Sequence, residues 1–162
     1  MKTQEYTLKI NIYQSINELN KHDINLINAA TGMLDSSYSP YSKFKVGAAA
    51  VLEDGRIIQG SNQENSSFGV TLCAERVLLA TYSNIKPKSK ILAVAITYKS
   101  KTNKNNRPLS PCGICRQALS EIENMQDTPI RLLMCGQSGK IWEVHTTNSM
   151  LPLAFDNSWF SS

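Results

Sequence analysis

Residues 110–119 read SPCGICRQAL, which places Cys112 and Cys115 three positions apart, directly after a proline. Leu119 and Ile122 continue the helical spacing, so we predict a helix that begins here and carries both sulfurs on one face. The N–H groups and the dipole at a helix start favour thiolates. Taken alone, the pair fits a metal site, a redox dithiol or two buried thiols.

A second helix, predicted over 73–84 (CAERVLLATYSN), also begins with a cysteine. Cys73, Cys112 and Cys115 would give zinc three protein ligands and leave its fourth tetrahedral position to water, as in catalytic sites. The remaining cysteine, Cys135, lies in a predicted strand and is interpreted as a small buried residue. Three cysteines at two helix starts therefore predict a catalytic site with one Zn²⁺ per chain.

Neighbours of these cysteines complete the predicted chemistry. Glu75 is the nearest carboxylate to Cys73 along the chain and is the candidate to move protons beside the metal. Zinc lowers the pKa of bound water toward about 7, and three thiolates weaken this effect by donating negative charge. Arg76 and Gln117 stand next to ligand positions, so we predict that they donate hydrogen bonds to the sulfurs.

The order of predicted elements indicates the fold class. A helix is predicted after Asn20, Asp54-Gly55 lies at a hairpin, 91–100 is a buried strand, and GQSG at 136–139 joins the last two strands. This order, αββαβαββ, predicts an α/β fold. We expect a three-layer α/β/α sandwich around a five-stranded mixed sheet whose last two strands are antiparallel.

The N-terminal residues 2–13 alternate between apolar and polar side chains. This period predicts an extra strand with one buried face. Its apolar side chains are Tyr6, Leu8, Ile10 and Ile12.

Length and composition exclude several classes of protein. The 162 residues fit a single domain over 1–162, and 41% hydrophobic with 19% charged residues is ordinary globular usage. No apolar run approaches the roughly 20 residues of a membrane helix, and no signal peptide is recognisable, so we expect a cytoplasmic protein with reduced cysteines. The net charge of +4 comes largely from lysines in loop-like stretches without aromatic residues, which indicates no nucleic-acid partner.

At this point the residues resemble a known family. TLCAERVLLA and SPCGICRQAL are similar to the zinc-dependent cytidine deaminases with small subunits and three cysteine ligands, a signature of the zinc deaminases. Further segments resemble the family in the same order, so that the resemblance extends over most of 20–158. These segments are YSPYSKFKVGAA (38–49), SNQEN (61–65) and MLPLAFDNS (150–158).

The resemblance implies a fold, a metal and a reaction. Cys73, Cys112 and Cys115 would hold zinc. Glu75 would protonate N3 of cytosine and later deliver a proton to the departing amino group. The expected reaction is hydrolytic deamination of cytidine and 2′-deoxycytidine to uridine and 2′-deoxyuridine, with release of ammonia, in pyrimidine salvage.

The resemblance also implies substrate contacts. Asn62 and Glu64 would hold the ribose 3′-hydroxyl, while the Ala74 N–H and the Ser110 carbonyl would contact the base. Phe44 would line the pocket. The implied partner is a small-molecule nucleoside.

An assembly is implied as well. Phe155 would close the pocket of a neighbouring subunit, which implies a homotetramer with shared sites. The chain departs from the family at Phe68, where tyrosine is usual, at Lys45 after Phe44, and in residues 2–13.

Other hypotheses remain beside this one. A closed structural zinc site needs a fourth ligand, and the two histidines, His22 and His145, lie in the first helix and the last strand. A polynucleotide deaminase would separate the last two strands with a helix, for which GQSG leaves no room. The alternatives kept open are deamination of a modified aminopyrimidine nucleoside and a non-catalytic, zinc-stabilised binding module.

Overall fold

The computed structural model describes residues 1–85, 88–101 and 106–160. Parts of the two lysine-rich stretches assigned to loops, residues 86–87 and 102–105, lie outside the described residues. Within these ranges the elements follow the predicted order: β1 (Asn11–Tyr13), α1 (Lys21–Gly32), β2 (Phe44–Leu52), β3 (Ile57–Ser61), α2 (Ala74–Ile85), β4 (Ile91–Ser100), α3 (Gly113–Gln126), β5 (Arg131–Cys135) and β6 (Ile141–Val144), with short 3₁₀ turns at Ile16–Glu18, Phe68–Val70, Thr147–Met150 and Asn157–Phe160. No helix in this described part is long and apolar enough to cross a membrane.

The strands form one mixed sheet in the order β1-β6-β5-β4-β2-β3. Only β4 and β5 are parallel, and the predicted antiparallel pairing of the last two strands is confirmed. The expected five strands are wrong, because the described residues form six. The sixth is β1, which adds to the edge of β6 with Ile12 opposite Trp142.

The N-terminal segment differs from its prediction. The expected strand 2–13 with a buried face is reduced to Asn11–Tyr13, and its apolar side chains are exposed: Tyr6, Leu8, Ile10 and Ile12. An alternating pattern supports a strand only where a neighbouring edge supplies hydrogen bonds. In the described part of the chain, β6 supplies them only opposite residues 11–13.

The sheet is covered on both faces, and β2 shows how. Ala49 packs in a cluster with α1, whereas Ala48 and Ala50 pack in a second cluster with α2 and α3. Burying a Leu or Ile side chain stabilises the fold by roughly 1.5–3 kcal/mol. The helices contribute such residues to both clusters: Leu26 and Ile27 from α1, Leu78 and Leu79 from α2, and Leu119 and Ile122 from α3.

Two glycines allow the helices to approach the strands closely. A Cβ atom at Gly47 would lie 2.0 Å from the Ala30 carbonyl oxygen of α1, and one at Gly60 would lie 2.5 Å from the Ala74 carbonyl oxygen of α2. Any side chain at either position would collide with backbone. Gly60 therefore fixes the height of the first turn of α2 above the sheet, which positions the residues described next.

Candidate zinc and active site

Three sulfurs meet where α2 and α3 begin. The Sγ atoms of Cys73 and Cys112 are 3.7 Å apart, those of Cys112 and Cys115 are 3.4 Å apart, and all three lie within 4.8 Å of one another. Cys73 directly precedes α2, and Cys112 is the N-cap of α3. The structure thus brings together the three cysteines that the sequence predicts as ligands.

The cysteine sulfurs are not needed to cap the two helices, so they remain available as metal ligands. The N-cap side chain of Cys112 makes no capping hydrogen bond, although its carbonyl accepts the Arg116 N–H at 3.0 Å. The Cys73 carbonyl likewise accepts the Val77 N–H at 3.1 Å. Free N–H groups and the helix dipole stabilise negative charge here.

The site also perturbs its ionisable groups. The hydrogen bond with Cys115 lowers the pKa of Cys73 to about 6, against the opposing effect of burial. The same hydrogen bond, together with burial, raises the pKa of Cys115. Burial raises the pKa of Glu75, which is 4% exposed in the first turn of α2. The pKa values of Cys73 and Cys115 are therefore shifted in opposite directions within one cluster.

The sulfur set fits zinc. Tetrahedral Zn²⁺ with Zn–S distances of about 2.3 Å places its sulfurs about 3.8 Å apart, close to the spacing observed here. Cys135 is not part of the set, since it is buried in β5, where desolvation raises its pKa to about 12. Among the described residues, three cysteines form this cluster, which leaves one tetrahedral position for a ligand from outside the chain.

A cleft of about 190 Å³ opens beside the sulfurs. Five of the residues predicted to contact substrate line it: Phe44, Asn62, Glu64, Ala74 and Ser110. Glu75, Cys73 and Cys112 also line the cleft, together with residues that the sequence did not indicate: Val46, Thr71, Leu72 and Leu109. Metal ligands, a buried carboxyl and the expected nucleoside contacts therefore share one cavity.

Asn62 fixes the wall of this cleft. Its Oδ1 accepts hydrogen bonds from the Val46 N–H at 2.8 Å and the Ser37 hydroxyl at 2.6 Å, and its Nδ2 donates to the Phe44 carbonyl at 2.9 Å. The Phe44 ring stacks on Tyr98, with centroids 5.1 Å apart. Because one Nδ2 hydrogen remains, Asn62 can hold the wall and still donate to a ligand.

Glu64 holds the neighbouring turn. Its carboxylate accepts the N–H groups of Tyr41 and Ser42 at 2.9 and 3.2 Å, and it also accepts the Ser42 hydroxyl. Burial alone would raise the pKa of Glu64, but these hydrogen bonds and the charge of Lys43 outweigh it and lower the pKa. Glu64 is thus an ionised acceptor at the rim of the cleft.

Two residues predicted to donate hydrogen bonds to the sulfurs, Arg76 and Gln117, make no such bond among the described residues. Gln117 donates from Nε2 to the Phe155 carbonyl at 2.8 Å. Arg76 acts through its charge, which contributes to the lowered pKa of Cys73. Phe155 is 59% exposed and does not line this cleft, so its predicted role in a neighbouring subunit stays a prediction.

Arg116 is a residue that the sequence analysis missed. Its guanidinium donates to the Pro111 carbonyl at 3.1 Å, the Ser110 hydroxyl at 3.1 Å and the Met150 carbonyl at 3.2 Å. It therefore ties the loop before α3 to the C-terminal segment and keeps the Ser110 backbone at the cleft. An arginine directly after Cys115, in the first turn of a helix, was the available signal.

Comparison with known proteins agrees with this geometry. A family described as "Cytidine and deoxycytidylate deaminase zinc-binding region" matches residues 20–129. A cytidine deaminase from Halalkalibacterium halodurans is 40% identical over 131 residues, covering 80% of this chain and 91% of that protein. One from Mycobacterium tuberculosis is 42% identical over 106 residues, covering 63% and 74%.

A solved structure agrees as well. The crystal structure of cytidine deaminase from Burkholderia pseudomallei superposes with a TM-score of 0.72 at 32% identity, covering 85% of this chain and all of that one. Residues 20–129, which match the family, include all three clustered cysteines and Glu75. The chain therefore belongs to the cytidine and deoxycytidylate deaminase zinc-binding family.

Proposed function

We propose that this protein is a hydrolase that deaminates cytidine and 2′-deoxycytidine. Water adds to C4 of the cytosine ring, the C4–N bond to the amino group breaks, and uridine or 2′-deoxyuridine and ammonia are released. The observation that carries this proposal is a cluster of three sulfurs beside a cleft that Cys73, Cys112 and the buried Glu75 line together. The family membership of the chain supports the same reaction.

The residues divide the chemistry between them. We assign Cys73, Cys112 and Cys115 as the ligands of one zinc ion. When bound, zinc supplies Lewis acidity, which makes water a nucleophile at neutral pH. Glu75 gives a proton to N3 of the base, takes one from the attacking water and gives it to the amino group, so that ammonia rather than an amide anion departs. The second water proton returns to the carboxylate as the C4 carbonyl forms. The position of Glu75 in the cleft beside the sulfurs suits these transfers.

The cleft walls would orient the nucleoside. The Ala74 N–H and the Ser110 carbonyl present one donor and one acceptor to the edge of the base, and Phe44 supports its face. Asn62 and Glu64 receive the ribose 3′-hydroxyl, because Asn62 retains a donor and Glu64 is an ionised acceptor. A free 3′-hydroxyl is then required for tight binding.

We further propose that the chain is a single domain and that it works as a homotetramer. Several aromatic side chains near the chain's end are exposed, Phe155, Trp159 and Phe160 among them. Phe155 would enter the cleft of a neighbouring subunit. Light scattering of the purified protein tests the tetramer, and mixing Glu75→Ala with Phe155→Ala chains tests whether sites are shared.

The central experiment follows the ultraviolet absorbance of cytidine with purified protein and measures zinc by atomic absorption. We expect conversion of cytidine and close to one zinc per chain. Glu75→Gln keeps the shape of the side chain and should lower turnover by roughly 10²–10⁴-fold with zinc retained. Glu121→Gln, an exposed glutamate on α3, is the matched control and should be fully active.

Other outcomes would change the assignment. If zinc is present and neither cytidine nor deoxycytidine is converted, the substrate assignment is wrong, and modified aminopyrimidine nucleosides are the next substrates to assay. If no aminopyrimidine nucleoside is converted while chelation of zinc unfolds the protein, the chain is a zinc-stabilised binding module.

A further inference from the structure

A second cavity, which the deamination reaction does not use, is lined by lysines. We call it the lysine cleft. It has a volume of about 520 Å³ and is formed by Ser39, Lys43, Lys45, Lys99 and Lys101. Four of its five described lining residues are lysines, whose aliphatic stems form much of the wall, in a chain whose net charge is only +4.

The sheet register brings these charges together. Lys45 of β2 lies directly opposite Lys99 of β4 in an antiparallel pair. Like charges at directly opposed positions destabilise a sheet. Asp35 lies 3.9 Å from Lys45 and offsets part of the repulsion, but it is almost fully exposed. Among the described residues, no other carboxylate lies within 4.0 Å of a lysine of this cleft.

We call the cleft beside the sulfurs the nucleoside cleft. The lysine cleft lies next to it, on the other side of the sheet. Side chains alternate along β2 and β4, so Phe44, which lines the nucleoside cleft, and Tyr98, on which it stacks, lie on one face of the sheet. Their neighbours Lys45 and Lys99 lie on the other face and line the lysine cleft. Strand β2 therefore contributes to both cavities, with Phe44 and Val46 lining one and Lys45 lining the other. The two cavities also interact electrostatically, because the charge of Lys43 in the lysine cleft contributes to the lowered pKa of Glu64 in the nucleoside cleft.

We propose that the lysine cleft binds a small oligophosphate, such as the triphosphate group of a free nucleotide. Several ammonium groups and the Ser39 hydroxyl offer the donors that phosphate oxygens accept, and ammonium groups bind phosphate as point charges. Clustered like charges that cost stability in the free protein are relieved when an anion of high charge binds. A polynucleotide is disfavoured, because the described residues that line the cleft include no aromatic side chain for base stacking.

Binding of sodium tripolyphosphate, measured by calorimetric titration at a constant ionic strength of about 0.15 M, tests the proposal without reference to deamination. We expect saturable binding with one site per chain. The double variant Lys45→Gln/Lys99→Gln should weaken it roughly tenfold or more. The matched control Lys21→Gln/Lys88→Gln removes the same charge from exposed positions outside the cleft and should bind as the parent does.

Two further titrations define the ligand. Cytidine triphosphate should compete with tripolyphosphate, whereas a short single-stranded oligonucleotide should compete weakly. The proposal is overturned if tripolyphosphate does not saturate, or if both double variants weaken binding equally, because the interaction then reflects net charge. It is also overturned if the oligonucleotide binds more tightly than tripolyphosphate, which would make the cleft part of a nucleic-acid surface.

Discussion

The molecule contains two clusters of ionisable side chains, both assembled from distant parts of the chain. They differ in whether their members find opposite charges and hydrogen-bond partners within the cluster. In the first, at the start of α2 and α3, Cys73, Cys112 and Cys115 contact one another, and all would carry the same sign of charge when ionised. In the second, between α1, β5 and β6, Arg131 lies between Asp23 and Glu143.

The second cluster is complete within the chain. Arg131 donates to Asp23 Oδ1 at 2.5 Å and to Glu143 Oε1 at 2.7 Å. The remaining oxygens are also occupied: Asn20 donates to Asp23 Oδ2 at 2.8 Å, and Tyr13 donates to Glu143 Oε2 at 2.8 Å. All four carboxylate oxygens therefore have donors, so this cluster needs nothing from outside.

The comparison separates stability from function. A cluster in which opposite charges saturate one another holds elements in place, here α1, β5, β6 and the short strand β1. A cluster of like groups is completed only by a cation, which is the condition for binding a metal. The predictions for Cys73, Arg131 and Glu143 each change one of the two clusters, and the prediction for Glu64 tests the cleft beside the sulfurs.

The largest effect is expected from loss of a sulfur. Cys73→Ala should reduce bound zinc from near one per chain to near zero and bring turnover below detection, because two thiolates do not hold zinc for catalysis. Atomic absorption and the cytidine assay measure both quantities. Cys135→Ala, a buried cysteine outside the cluster, should keep zinc and activity. Equal zinc loss in both variants would contradict the assigned ligand set.

Removing the central cation of the other cluster should affect stability instead. Arg131→Met leaves two buried carboxylates without their charge partner, so the free energy of unfolding should fall by roughly 2–3 kcal/mol. Urea unfolding measures this, and zinc content should not change.

An exposed ion pair provides the control for this change. Arg56 lies 2.7 Å from Asp54, and both side chains are at least 40% exposed. Arg56→Met should therefore lower the free energy of unfolding much less than Arg131→Met does. If the two arginine variants lose the same stability, the buried network has no special role in holding the sheet to α1.

A smaller effect is expected at the rim of the nucleoside cleft. Glu64→Ala should raise KM for cytidine roughly tenfold or more with kcat little changed, because a hydrogen bond to a charged acceptor is lost in both the ground state and the transition state. Ser42→Ala keeps the carboxylate and removes its hydroxyl donor, so KM should not rise. A similar rise in both variants would mean that Glu64 only holds the turn.

Much of the fold follows from local sequence. Asn20 caps α1 as expected, with its side chain accepting the Asp23 N–H at 2.9 Å, and Asp54-Gly55 joins β2 to β3. The three cysteines could be predicted as a ligand set because helix starts and cysteine spacing both depend on the local sequence. The edge of the sheet was not, because the length of β1 depends on how far the distant strand β6 reaches.

Long-range partners of polar side chains were also beyond the sequence. Nothing in the spacing of Arg131, Asp23 and Glu143 indicates that they meet, since 108 positions separate Arg131 from Asp23. Gln117 and Arg116 likewise donate to carbonyls of the C-terminal segment, at Phe155 and Met150. In that segment the sequence analysis had assigned a role to Phe155 alone. Residue type predicts what a side chain can bind, whereas the fold decides which partner it receives.

The smallest expected effect concerns the pH dependence of stability at Glu143. Burial alone would raise the pKa of this carboxyl, but hydrogen bonds from Asn11 and Tyr13 and the Arg131 charge outweigh burial and lower it below the ordinary value of 4.5. Between the folded and unfolded pKa values the unfolded chain binds more protons, so the free energy of unfolding rises with pH there. This contribution is complete above about pH 4.5 and is lost as the pH falls through the folded pKa.

Urea unfolding between pH 6 and pH 3 measures the slope. The parent protein should lose stability steeply below about pH 4.5, and Glu143→Gln should lose less over the same interval because its amide does not titrate. Other carboxyls titrate in this range, so the useful quantity is the difference between variants. Glu121→Gln, exposed on α3, should keep the parent slope. If Glu143→Gln also keeps the parent slope, the protonation of Glu143 does not change on unfolding. The contrast between the Arg131 cluster and the sulfur cluster would then have no electrostatic basis.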